Sequence, residues 1–336
     1  MIEIDGSFGE GGGQILRTAL SLASVTGETV HFTDIRKNRH KPGLMYQHLT
    51  CAKAVAEITG GVLNGAELNS QEMIFTPGSI APGNYRFVVG TAGSAILVAQ
   101  TVLPCLLFGC EKSKVEICGG THVANAPIFD FFQSVYLPCL QRMGIEASAT
   151  LDQVGFYPAG GGKITLDISP LRDWKKLEIM SSGTLKKAAF TAISHGIKSE
   201  IGSDEVALAQ REFPEFETAQ TEVDSCGPGN VLLAKLEYEN ITELFSVCGE
   251  FNQSRTVVAK RVIGMVKSYQ KYAAPVWRFL ADQLLLPMAL GAGGKFLTVS
   301  PSQHTETNIA VIRKFMNVQI DVNNLQNGQH IIEVKK

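Results

Sequence analysis

The loop from residue 9 to residue 14 has a composition that suits phosphate binding. It reads Gly-Glu-Gly-Gly-Gly-Gln and precedes an apolar helical run. Free backbone N–H groups at a helix N-terminus, together with the helix dipole, favour a bound anion. The carboxylate of Glu10 fits this loop if a divalent cation lies between it and a phosphate; a simple helix N-terminal charge is the alternative. Gln14 and Arg17 follow directly and would join such a site.

A basic segment follows the first predicted strand. Residues 36–41 hold four Lys or Arg side chains, and a helical run begins shortly after them. Arginine binds phosphate groups through two parallel hydrogen bonds, so this segment would clamp a nucleotide or a nucleic-acid end. An ordinary solvated loop is the alternative. Gln47 and His48 lie on the first turns of the following helix, where His48 would be either a phosphate contact or an ordinary surface histidine.

His304 is the best candidate for a nucleophile. It stands in Ser-Pro-Ser-Gln-His-Thr-Glu-Thr-Asn, residues 300–308, at a predicted strand-to-helix junction. A rigid junction of this kind can hold a nucleophilic side chain in place. Helix capping explains much of the local polarity without any catalysis, so both interpretations stay open. Residues 155–163 resemble a phosphate-binding P-loop, but Ile164 occupies the position of its Ser or Thr, which excludes that motif.

The composition excludes several classes of protein. The chain has 336 residues and a net charge of −2, so it does not coat nucleic acid by bulk electrostatics, although a local basic site is compatible. Seven cysteines without a C-x-x-C pair exclude zinc-ribbon and thioredoxin redox motifs and favour free thiols in a reducing cytoplasm. No secretory signal is predicted. Residues 90–109 lack charge but contain Gln100 and Pro104, which favours a buried helix over a membrane span.

Repetition along the chain sets the predicted architecture. The glycine-rich turn and helix at residue 9 are matched by Gly-Thr-Ala-Gly-Ser-Ala-Ile-Leu at residue 90, and similar helix–strand–helix–strand patterns follow both. A third copy begins near residue 275. Each copy needs helices to cover its sheet, so three copies of about 80 residues would pack into one mixed α/β body. Residues 1–176 and 273–336 would form this body, and residues 177–272 a smaller inserted α/β domain.

Five motifs in order give the chain a close resemblance to the RNA 3′-terminal phosphate cyclase family over essentially its whole length. They are residues 9–17, residues 41–44 (Lys-Pro-Gly-Leu), residues 155–162, residues 280–283 (Leu-Ala-Asp-Gln) and the segment around His304. The resemblance implies a large domain of three βαβαββ-type repeats and a smaller inserted domain of thioredoxin-like topology. Both agree with the repeats and the insertion described above.

The resemblance implies a nucleotidyl transfer in three steps. A histidine, here His304, attacks the α-phosphate of ATP and releases pyrophosphate. The AMP then passes to the 3′-phosphate of an RNA, and the neighbouring 2′-OH closes a 2′,3′-cyclic phosphate and expels AMP. Neutral imidazole is a competent nucleophile at pH 7 because its ordinary pKa is about 6.5. The charge that develops at phosphorus requires arginines and Mg²⁺ or Mn²⁺.

The resemblance also implies roles for individual residues. Glu10 matches a metal-contacting carboxylate. Phe279 would stack on adenine with Pro127 on the opposite face, at a position where many relatives have Tyr. Asp282 would orient His304 or the nucleotide. The implied nucleotide-binding set is Gln14, Gln100, Pro127, Phe279, Leu280, Ala281, Asp282 and Gln283. The implied contacts to the triphosphate or the RNA terminal phosphate are Arg17, Arg36, Arg39, Gln47 and His48.

Two other classes of protein remain as alternatives. Some relatives of this family are non-catalytic ribosome-assembly proteins that keep the fold and lack the nucleophile; the presence of His304, Glu10 and Asp282 favours the enzyme. A carboxyvinyl transferase of related repeat architecture would give no role to His304. The expected partner is RNA with a 3′-phosphate end, with no membrane association and a cytoplasmic location. The sequence leaves the oligomeric state open.

Overall fold

The computed structural model of the chain describes residues 1–325 and 327–336. In these residues sixteen strands form four four-stranded sheets, and helices cover them. Three of the sheets and one face of the fourth, with Val231, Leu233 and Leu244, contribute to one large hydrophobic core. The other face of the fourth sheet forms a second core with two helices. The predicted mixed α/β class is confirmed.

The first sheet has a pairing pattern that recurs in the molecule. Its elements are β1 (Ile2–Asp5), α1 (Gly13–Thr26), β2 (Val30–Thr33), α2 (Tyr46–Thr59), β3 (Val62–Asn64) and β4 (Met73–Thr76). β1 and β2 are parallel and are joined by α1. β2 then pairs antiparallel with β4, which pairs antiparallel with β3. Alternate residues of β2 and β4 are buried, so one face of this sheet packs against the helices.

The second sheet contains β5 (Asn84–Val88), β6 (Ser113–Gly119), β7 (Ala147–Gln153) and β8 (Gly162–Ile168). Its helices are α3 (Ala95–Leu106), α4 (Phe129–Phe131) and α5 (Leu137–Arg142), and a π-helical turn (Phe132–Tyr136) links the last two. β5 and β6 are parallel, and the other pairs are antiparallel. The uncharged stretch of residues 90–109 contains α3, which is buried except at Gln100, as predicted. No helix in the described part of the chain has the length and apolarity needed to cross a bilayer.

Beyond β9 (Leu177–Ile179) the chain builds a separate unit, which is one sheet with two helices. Its elements are β10 (Leu185–His195), α6 (Ser199–Glu212), β11 (Glu217–Glu222), β12 (Gly229–Tyr238), β13 (Thr242–Cys248) and α7 (Arg255–Tyr272). The strand order is β11-β10-β12-β13, with β10 and β11 parallel and the other pairs antiparallel. Its core includes Phe190 and Phe245 of the sheet and Val262 of α7.

The third sheet is completed by the C-terminal part of the chain. Its elements are α8 (Arg278–Leu290), β14 (Gly294–Val299), α9 (Gln303–Phe315), β15 (Gln319–Asn324) and β16 (Gln329–Lys335). β9 is parallel to β14, and the pairs of β14 with β16 and β16 with β15 are antiparallel, so this sheet shares the strand order of the first two. The sequence pattern places residue 177 in the inserted domain, whereas Leu177–Ile179 lie in the third sheet because they pair with residues 294–296.

The helices that carry the predicted site residues pack together. α1 contacts α2, α3 and α9, and α8 contacts α9. A buried hydrogen bond ties α1 to α9, in which the Oγ1 of Thr18 donates to the Oδ1 of Asn308 at 2.6 Å. The first turns of α1, α8 and α9 therefore face one shared cleft.

Candidate active site

A cleft of about 710 Å³ lies where the first turns of α1, α8 and α9 meet the basic loop, residues 36–43, and the strand β13. Clefts that bind small organic ligands range from about 300 to 1,000 Å³, so the size is suitable. The structure brings most of the predicted site residues together here. These are Glu10, Gln14, Arg17, Arg36, Arg39, Gln47, His48, Gln100, Pro127, Phe279, Asp282, Gln283 and His304.

Leu280 and Ala281 do not reach this cleft. They are 0% and 2% exposed and belong to the hydrophobic core. Phe279, Asp282 and Gln283 have the i, i+3, i+4 spacing of one helix face, so the two residues between them point elsewhere. The nucleotide contact expected of Leu280 and Ala281 is therefore corrected to a packing role.

His304, Glu10 and Arg39 form a contact group in the cleft. The Nε2 of His304 is 3.1 Å from the Oε2 of Glu10, and the Nη2 of Arg39 is 3.3 Å from the same oxygen. The three side chains are 45%, 32% and 41% exposed, so a ligand can reach them. Ser302 caps α9, because its Oγ accepts a hydrogen bond from the backbone N–H of Thr305 at 3.2 Å. Helix capping and a candidate nucleophile thus occur together in this segment.

The surroundings of His304 favour its uncharged form. Burial lowers the pKa of His304; Glu10 opposes this shift, and the cations Arg17 and Arg39 add to it. The ordinary pKa of histidine is about 6.5, so an imidazole with a lowered pKa is neutral at pH 7. A neutral imidazole keeps a lone pair on one ring nitrogen, which a nucleophile needs.

Glu10 is the partly exposed carboxylate of the cleft. Within residues 1–325 and 327–336, no cluster of three or more His, Cys, Asp or Glu side chains could hold a metal ion. A divalent cation at Glu10 would therefore take its other ligands from water and from the phosphate oxygens of a substrate. Mg²⁺ is commonly bound in this way, through one or two carboxylates and substrate phosphates. The residues present fit a Mg²⁺ or Mn²⁺ ion that arrives with a nucleotide.

Arg17 places a guanidinium next to the glycine-rich loop. Burial lowers the pKa of Arg17, and its side chain forms no salt bridge with a carboxylate of the described residues. A Cβ at Gly13 would lie 2.9 Å from the Nη1 of Arg17 and 2.1 Å from the Nε2 of His48, so only glycine permits this approach. An enclosed cation beside helix N-terminal N–H groups favours a bound anion.

His48 is buried and uncharged. Burial is the main cause that lowers the pKa of His48 to about 3, followed by the charges of Arg17 and Arg36. The Nδ1 of His48 accepts a hydrogen bond from the backbone N–H of Met45 at 3.3 Å, which leaves Nε2 as the N–H donor. His48 is 5% exposed, so it is not a surface histidine. His48 can therefore contact a phosphate only through its neutral Nε2–H group.

Arg36 and Gln47 line the cleft and also hold the backbone around it. The Nη1 of Arg36 donates to the carbonyl oxygens of Lys41 and Gly43, both at 2.8 Å. The Oε1 of Gln47 accepts a hydrogen bond from the backbone N–H of Ser94 at 2.9 Å, at the start of α3. The Arg36 bonds close the basic loop, and the Gln47 bond ties the first turn of α2 to the start of α3. The side-chain NH₂ of Gln47 and the rest of the Arg36 guanidinium remain for a ligand.

Asp282 is hydrogen-bonded to Gln14 and, among the described residues, forms no hydrogen bond or salt bridge with His304. The Nε2 of Gln14 donates to the Oδ2 of Asp282 at 3.0 Å. Burial raises the pKa of Asp282 to about 7. The Oδ1 of Asp282 and the Oε1 of Gln14 are buried and have no hydrogen-bond partner among the described residues. Asp282 is expected to orient either His304 or the nucleotide. The second role has support, because a hydrogen-bond donor of a ligand would satisfy these unpartnered oxygens.

Phe279 and Pro127 lie in the same cleft, and Phe279 is 45% exposed. The side-chain NH₂ of Gln283 donates to the carbonyl oxygen of Phe279, and that of Gln100 donates to the Oε1 of Gln283. This chain of amides ties α3 to the turn of α8 that carries the ring. A partly exposed ring in a cleft offers a stacking surface for a flat aromatic ligand.

The cleft also contains residues that sequence reasoning missed. Leu244 and Ser246 come from β13 of the separate unit, and no sequence pattern relates that strand to the other motifs. Asn308 lies one turn after His304, and its Nδ2 donates to the backbone carbonyl of Asp282 at 2.8 Å. The i, i+4 spacing from His304 was the signal available for Asn308.

Comparison with known proteins gives one consistent result. Residues 8–322 match the family model described as RNA 3′-terminal phosphate cyclase. The chain is 44% identical over 329 residues to a protein of Salmonella enteritidis PT4 (strain P125109) named RNA 3′-terminal phosphate cyclase. The identity is also 44% to a protein of that name from Salmonella gallinarum (strain 287/91 / NCTC 13346). Each match covers 98% of this chain and 97% of the relative.

Proposed function

Because the chain belongs to the RNA 3′-terminal phosphate cyclase family, we propose that it uses ATP to convert the 3′-terminal phosphate of an RNA into a 2′,3′-cyclic phosphodiester. The observation that carries the proposal is that His304 and Arg39 both contact the same carboxylate oxygen of Glu10. This contact group combines a neutral imidazole, a carboxylate suited to Mg²⁺ and a cation suited to phosphate in one cleft.

In the first step His304 is the nucleophile. One imidazole nitrogen forms a bond to the α-phosphorus of ATP while the bond from this phosphorus to the bridging oxygen breaks, and pyrophosphate leaves. The imidazole then carries AMP and keeps its proton on the other ring nitrogen. The lowered pKa of His304 keeps the attacking nitrogen unprotonated at pH 7. Arg17 and Arg39 face the charge that develops on the phosphoryl oxygens.

The second and third steps use the activated AMP. An oxygen of the RNA 3′-phosphate attacks the phosphorus, the N–P bond breaks, and His304 is free again. The RNA now ends in a phosphate–adenylate anhydride. The adjacent 2′-OH attacks the 3′-phosphorus, AMP leaves with the bridging oxygen, and the hydroxyl proton passes to solvent. Because nucleophile and phosphate belong to one nucleotide, proximity supplies much of this last acceleration.

Glu10 and the substrate phosphates would hold Mg²⁺ or Mn²⁺. When bound, such an ion neutralises charge on the phosphates and polarises the reacting P–O bonds. The chain itself contributes a single partly exposed carboxylate at this point, so the affinity for the ion would depend on the nucleotide.

The nucleotide base and sugar have separate positions in this proposal. Phe279 stacks on adenine, with Pro127 on the other face. The unpartnered oxygens of Asp282 and Gln14 accept hydrogen bonds from ribose hydroxyls, which would remove the cost of burying them unpaired. Gln100 then contributes through the amide chain that holds α8.

The architecture expected of the family is part of the same proposal. The three sheets of one strand order would be βαβαββ repeats, and the separate unit would be an insertion of thioredoxin-like topology. The second hydrophobic core supports a separate domain, which also packs Val231, Leu233 and Leu244 against the large core. With β9 in the third sheet, the insertion would run from about residue 180 to residue 272. All seven cysteines are free thiols, which supports a reducing, cytoplasmic location.

The two alternatives have less support. A non-catalytic ribosome-assembly protein would not need a neutral His304 in contact with Glu10, and the relatives described above are named as cyclases. A carboxyvinyl transferase would leave His304 without a role and does not agree with the family match.

The decisive experiment is mass spectrometry of the purified chain after incubation with ATP and Mg²⁺. We expect one covalent AMP, labile to acid and stable to base, on the peptide that contains His304. An oligonucleotide with a 3′-phosphate should then discharge the adduct and acquire a cyclic end. The matched oligonucleotide with a 3′-OH should leave the adduct in place. Absence of any adduct, together with an unaltered 3′-phosphate, would establish the non-catalytic alternative.

A further inference from the structure

Phe8 is an exposed aromatic residue at the start of the glycine-rich loop. It is 52% exposed, although large aromatic side chains are usually well buried. The backbone N–H of Phe8 donates to the carbonyl of Asp5 at 3.3 Å, and the N–H of Gly11 donates to the carbonyl of Phe8 at 2.9 Å. These bonds hold the turn, so the ring is presented to solvent by an ordered backbone.

The position of Phe8 is next to the reacting group. Gly9 packs so closely on α9 that a Cβ there would lie 2.3 Å from the Oγ1 of Thr307, three residues after His304. Glu10, the next residue along, contacts His304 itself. Phe8 is not among the residues that line the cleft, so its ring lies beside the site.

The basic loop lies against the same turn. The Nδ2 of Asn38 donates to the carbonyl of Ser7 at 3.4 Å. Lys37, His40 and Lys41 are exposed around this contact. Surfaces that bind single-stranded nucleic acid combine an exposed ring, on which a base stacks, with cations along the backbone of the strand. Phe8 and the basic loop have this composition at the place where an RNA end must approach His304.

We propose that Phe8 stacks on the base of the nucleotide that precedes the 3′-terminal nucleotide, while His40 and Lys41 contact phosphates of the same strand. The inference rests on the proposed function, since it needs the RNA 3′-phosphate to lie at His304. The Nζ of Lys37 forms a salt bridge with the Oδ2 of Asp34 at 3.2 Å, so Lys37 is not proposed as a phosphate contact. Stacking accepts every base, so this subsite would add affinity for a strand without reading its sequence.

The test compares a 3′-phosphorylated tetranucleotide with a 3′-phosphorylated mononucleoside by the kcat/KM of cyclisation. Phe8→Leu should lower the value for the tetranucleotide about tenfold more than the value for the mononucleoside, which has no preceding base. Phe8→Tyr keeps a ring and should retain the preference for the longer substrate. Equal losses with both substrates, or no loss with either, would overturn the subsite.

The cations have a matched pair of variants. Lys41→Gln should reduce the slope of tetranucleotide binding against salt concentration, because one phosphate contact is lost. Lys112→Gln, in a different cavity of the protein, should leave that slope unchanged. If both variants showed the same dependence of binding on salt concentration, the proposed contact of Lys41 with a phosphate would be refuted. A wild-type chain that forms no AMP adduct refutes the proposed function, whereas an active chain insensitive to Phe8→Leu refutes the subsite alone.

A second inference comes from Glu243, a buried carboxyl group on β13. It is 0% exposed, and its Oε1 accepts a hydrogen bond from the backbone N–H of Trp277 at 2.7 Å. Trp277 is the residue that precedes α8. Burial raises the pKa of Glu243 to about 8, in agreement with a neutral group that serves as an acceptor.

The residues before α8 are anchored in the core of the separate unit. The ring of Trp277 is 5.8 Å from that of Tyr269 and 6.2 Å from that of Phe245, between centroids. The hydroxyl of Tyr269 donates to the carbonyl of Pro275 at 3.2 Å. Phe279, which offers its ring to the cleft, follows two residues after this anchor. The opposite face of β13 lines the cleft with Leu244 and Ser246.

We infer that Glu243 is a positioning residue for the nucleotide, because it fixes the start of α8 and thereby the ring of Phe279. The separate unit would then form part of the ATP site, since its own core holds Trp277 and its Leu244 packs in the large core. This inference also rests on the proposed function, since it needs ATP in the cleft. It predicts that changes at Glu243 act on the binding of ATP and spare the chemistry that follows.

The test separates KM from kcat for ATP in the complete cyclisation reaction, with a 3′-phosphorylated oligonucleotide at saturating concentration. Glu243→Leu removes the acceptor and should raise KM about tenfold with little change in kcat at saturating ATP. Glu243→Gln keeps an acceptor oxygen and should restore KM. Tyr269→Phe, which removes one hydroxyl from the same anchor, should raise KM about threefold and serves if Glu243→Leu does not fold.

Glu205 provides the matched control. It is also 0% exposed and lies in the same separate unit, where the Nδ2 of Asn230 donates to it at 3.0 Å and 3.1 Å. Glu205→Leu should cost comparable stability in thermal unfolding and leave the KM for ATP as it is. An equal rise of KM in Glu205→Leu, or a KM within twofold of wild type in folded Glu243→Leu and Tyr269→Phe, would overturn the inference. A wild-type chain without any adduct would refute the proposed function instead.

Discussion

The Nε2 of His304 lies 3.1 Å from the Oε2 of Glu10, a contact between the first turn of α9 and the loop before α1. Through this contact Glu10, near one end of the chain, affects the charge and the hydrogen bonding of His304, near the other end. Glu10 raises the pKa of His304 against the opposing effects of burial and of two arginines. Any change at Glu10 should therefore be detectable in the chemistry of the imidazole.

The substitution His304→Asn should abolish the covalent AMP. Asparagine keeps a polar side chain on a 45% exposed position, so the free energy of unfolding should change by less than about 0.5 kcal/mol. The measurement is intact-protein mass spectrometry after incubation with ATP, with His31→Asn on β2 as a control that keeps the adduct. An adduct of wild-type yield in His304→Asn would exclude His304 as the nucleophile.

The substitution Glu10→Gln should weaken the apparent affinity for Mg²⁺ in adenylylation. The amide keeps the size of the side chain but loses the charge that a divalent cation needs. At a fixed ATP concentration, the Mg²⁺ concentration for half-maximal rate should rise about tenfold or more. A titration with an unchanged midpoint would assign Glu10 to the helix N-terminus and not to a metal ion.

The rate of adenylylation should fall in acid with a midpoint below pH 6.5, because burial lowers the pKa of His304 and the protonated ring has no lone pair. Arg39→Gln removes a cation that lowers this pKa, so the midpoint should move to higher pH. Glu10→Gln removes a carboxylate that raises it, so the midpoint should move to lower pH. Single-turnover rates at saturating ATP, measured from about pH 5 to about pH 9, check both shifts. Shifts of one sign in both variants would contradict the assigned charges.

Local signals in the sequence predicted the mixed α/β class and part of the cleft, and the resemblance to a known family supplied the expected nucleotide-binding set. Glycine-rich turns before helices, a basic loop and a polar strand-to-helix junction each lie within ten residues. Such signals placed Glu10, Arg39 and His304 on elements that the fold brings together. The resemblance also included Leu280 and Ala281, because a motif in sequence does not say which residues of a helix face the core.

Other features of the fold and of the cleft depend on interactions that are distant in sequence. β9 pairs with β14 across the whole separate unit, and three residues carry too little pattern to reveal a strand. The hydrogen bond from Gln14 to Asp282 joins α1 to α8, and neither motif alone could reveal it. The charge state of His48 follows from burial beside two arginines, and burial of a single side chain is a property of the folded chain.

The substitution Asp282→Asn should stabilise the protein more at high pH than at low pH. The pKa of Asp282 is raised from 3.8 to about 7 in the folded state, so the folded state binds more protons between these values. The contribution of a neutral Asp282 to stability is complete below pH 3.8 and is lost as the pH rises to about 7. Asparagine does not titrate, so its advantage over wild type in urea unfolding should be larger at about pH 8 than at about pH 5. An equal advantage at both values would show that Asp282 is charged throughout.

Arg36 and Arg39 lie in one loop and should respond differently to truncation. Arg36 donates two hydrogen bonds to carbonyl oxygens of its own loop, so Arg36→Ala should lower the free energy of unfolding by about 1–3 kcal/mol. Arg39 is 41% exposed and meets the Oε2 of Glu10 at 3.3 Å, so Arg39→Ala should change stability by less than about 1 kcal/mol.

The order of the two variants should reverse in activity at a temperature where both are folded. Arg39→Ala removes the cation that shares a carboxylate oxygen with His304, so transfer of AMP to a 3′-phosphorylated oligonucleotide should fall by about a hundredfold. Arg36→Ala should lose less, because the carbonyl bonds already occupy part of its guanidinium. Urea unfolding and single-turnover transfer, measured on both proteins, give the comparison. If Arg39→Ala proved the less stable and the more active of the two, the assignment of loop closure to Arg36 and phosphate contact to Arg39 would have to be exchanged.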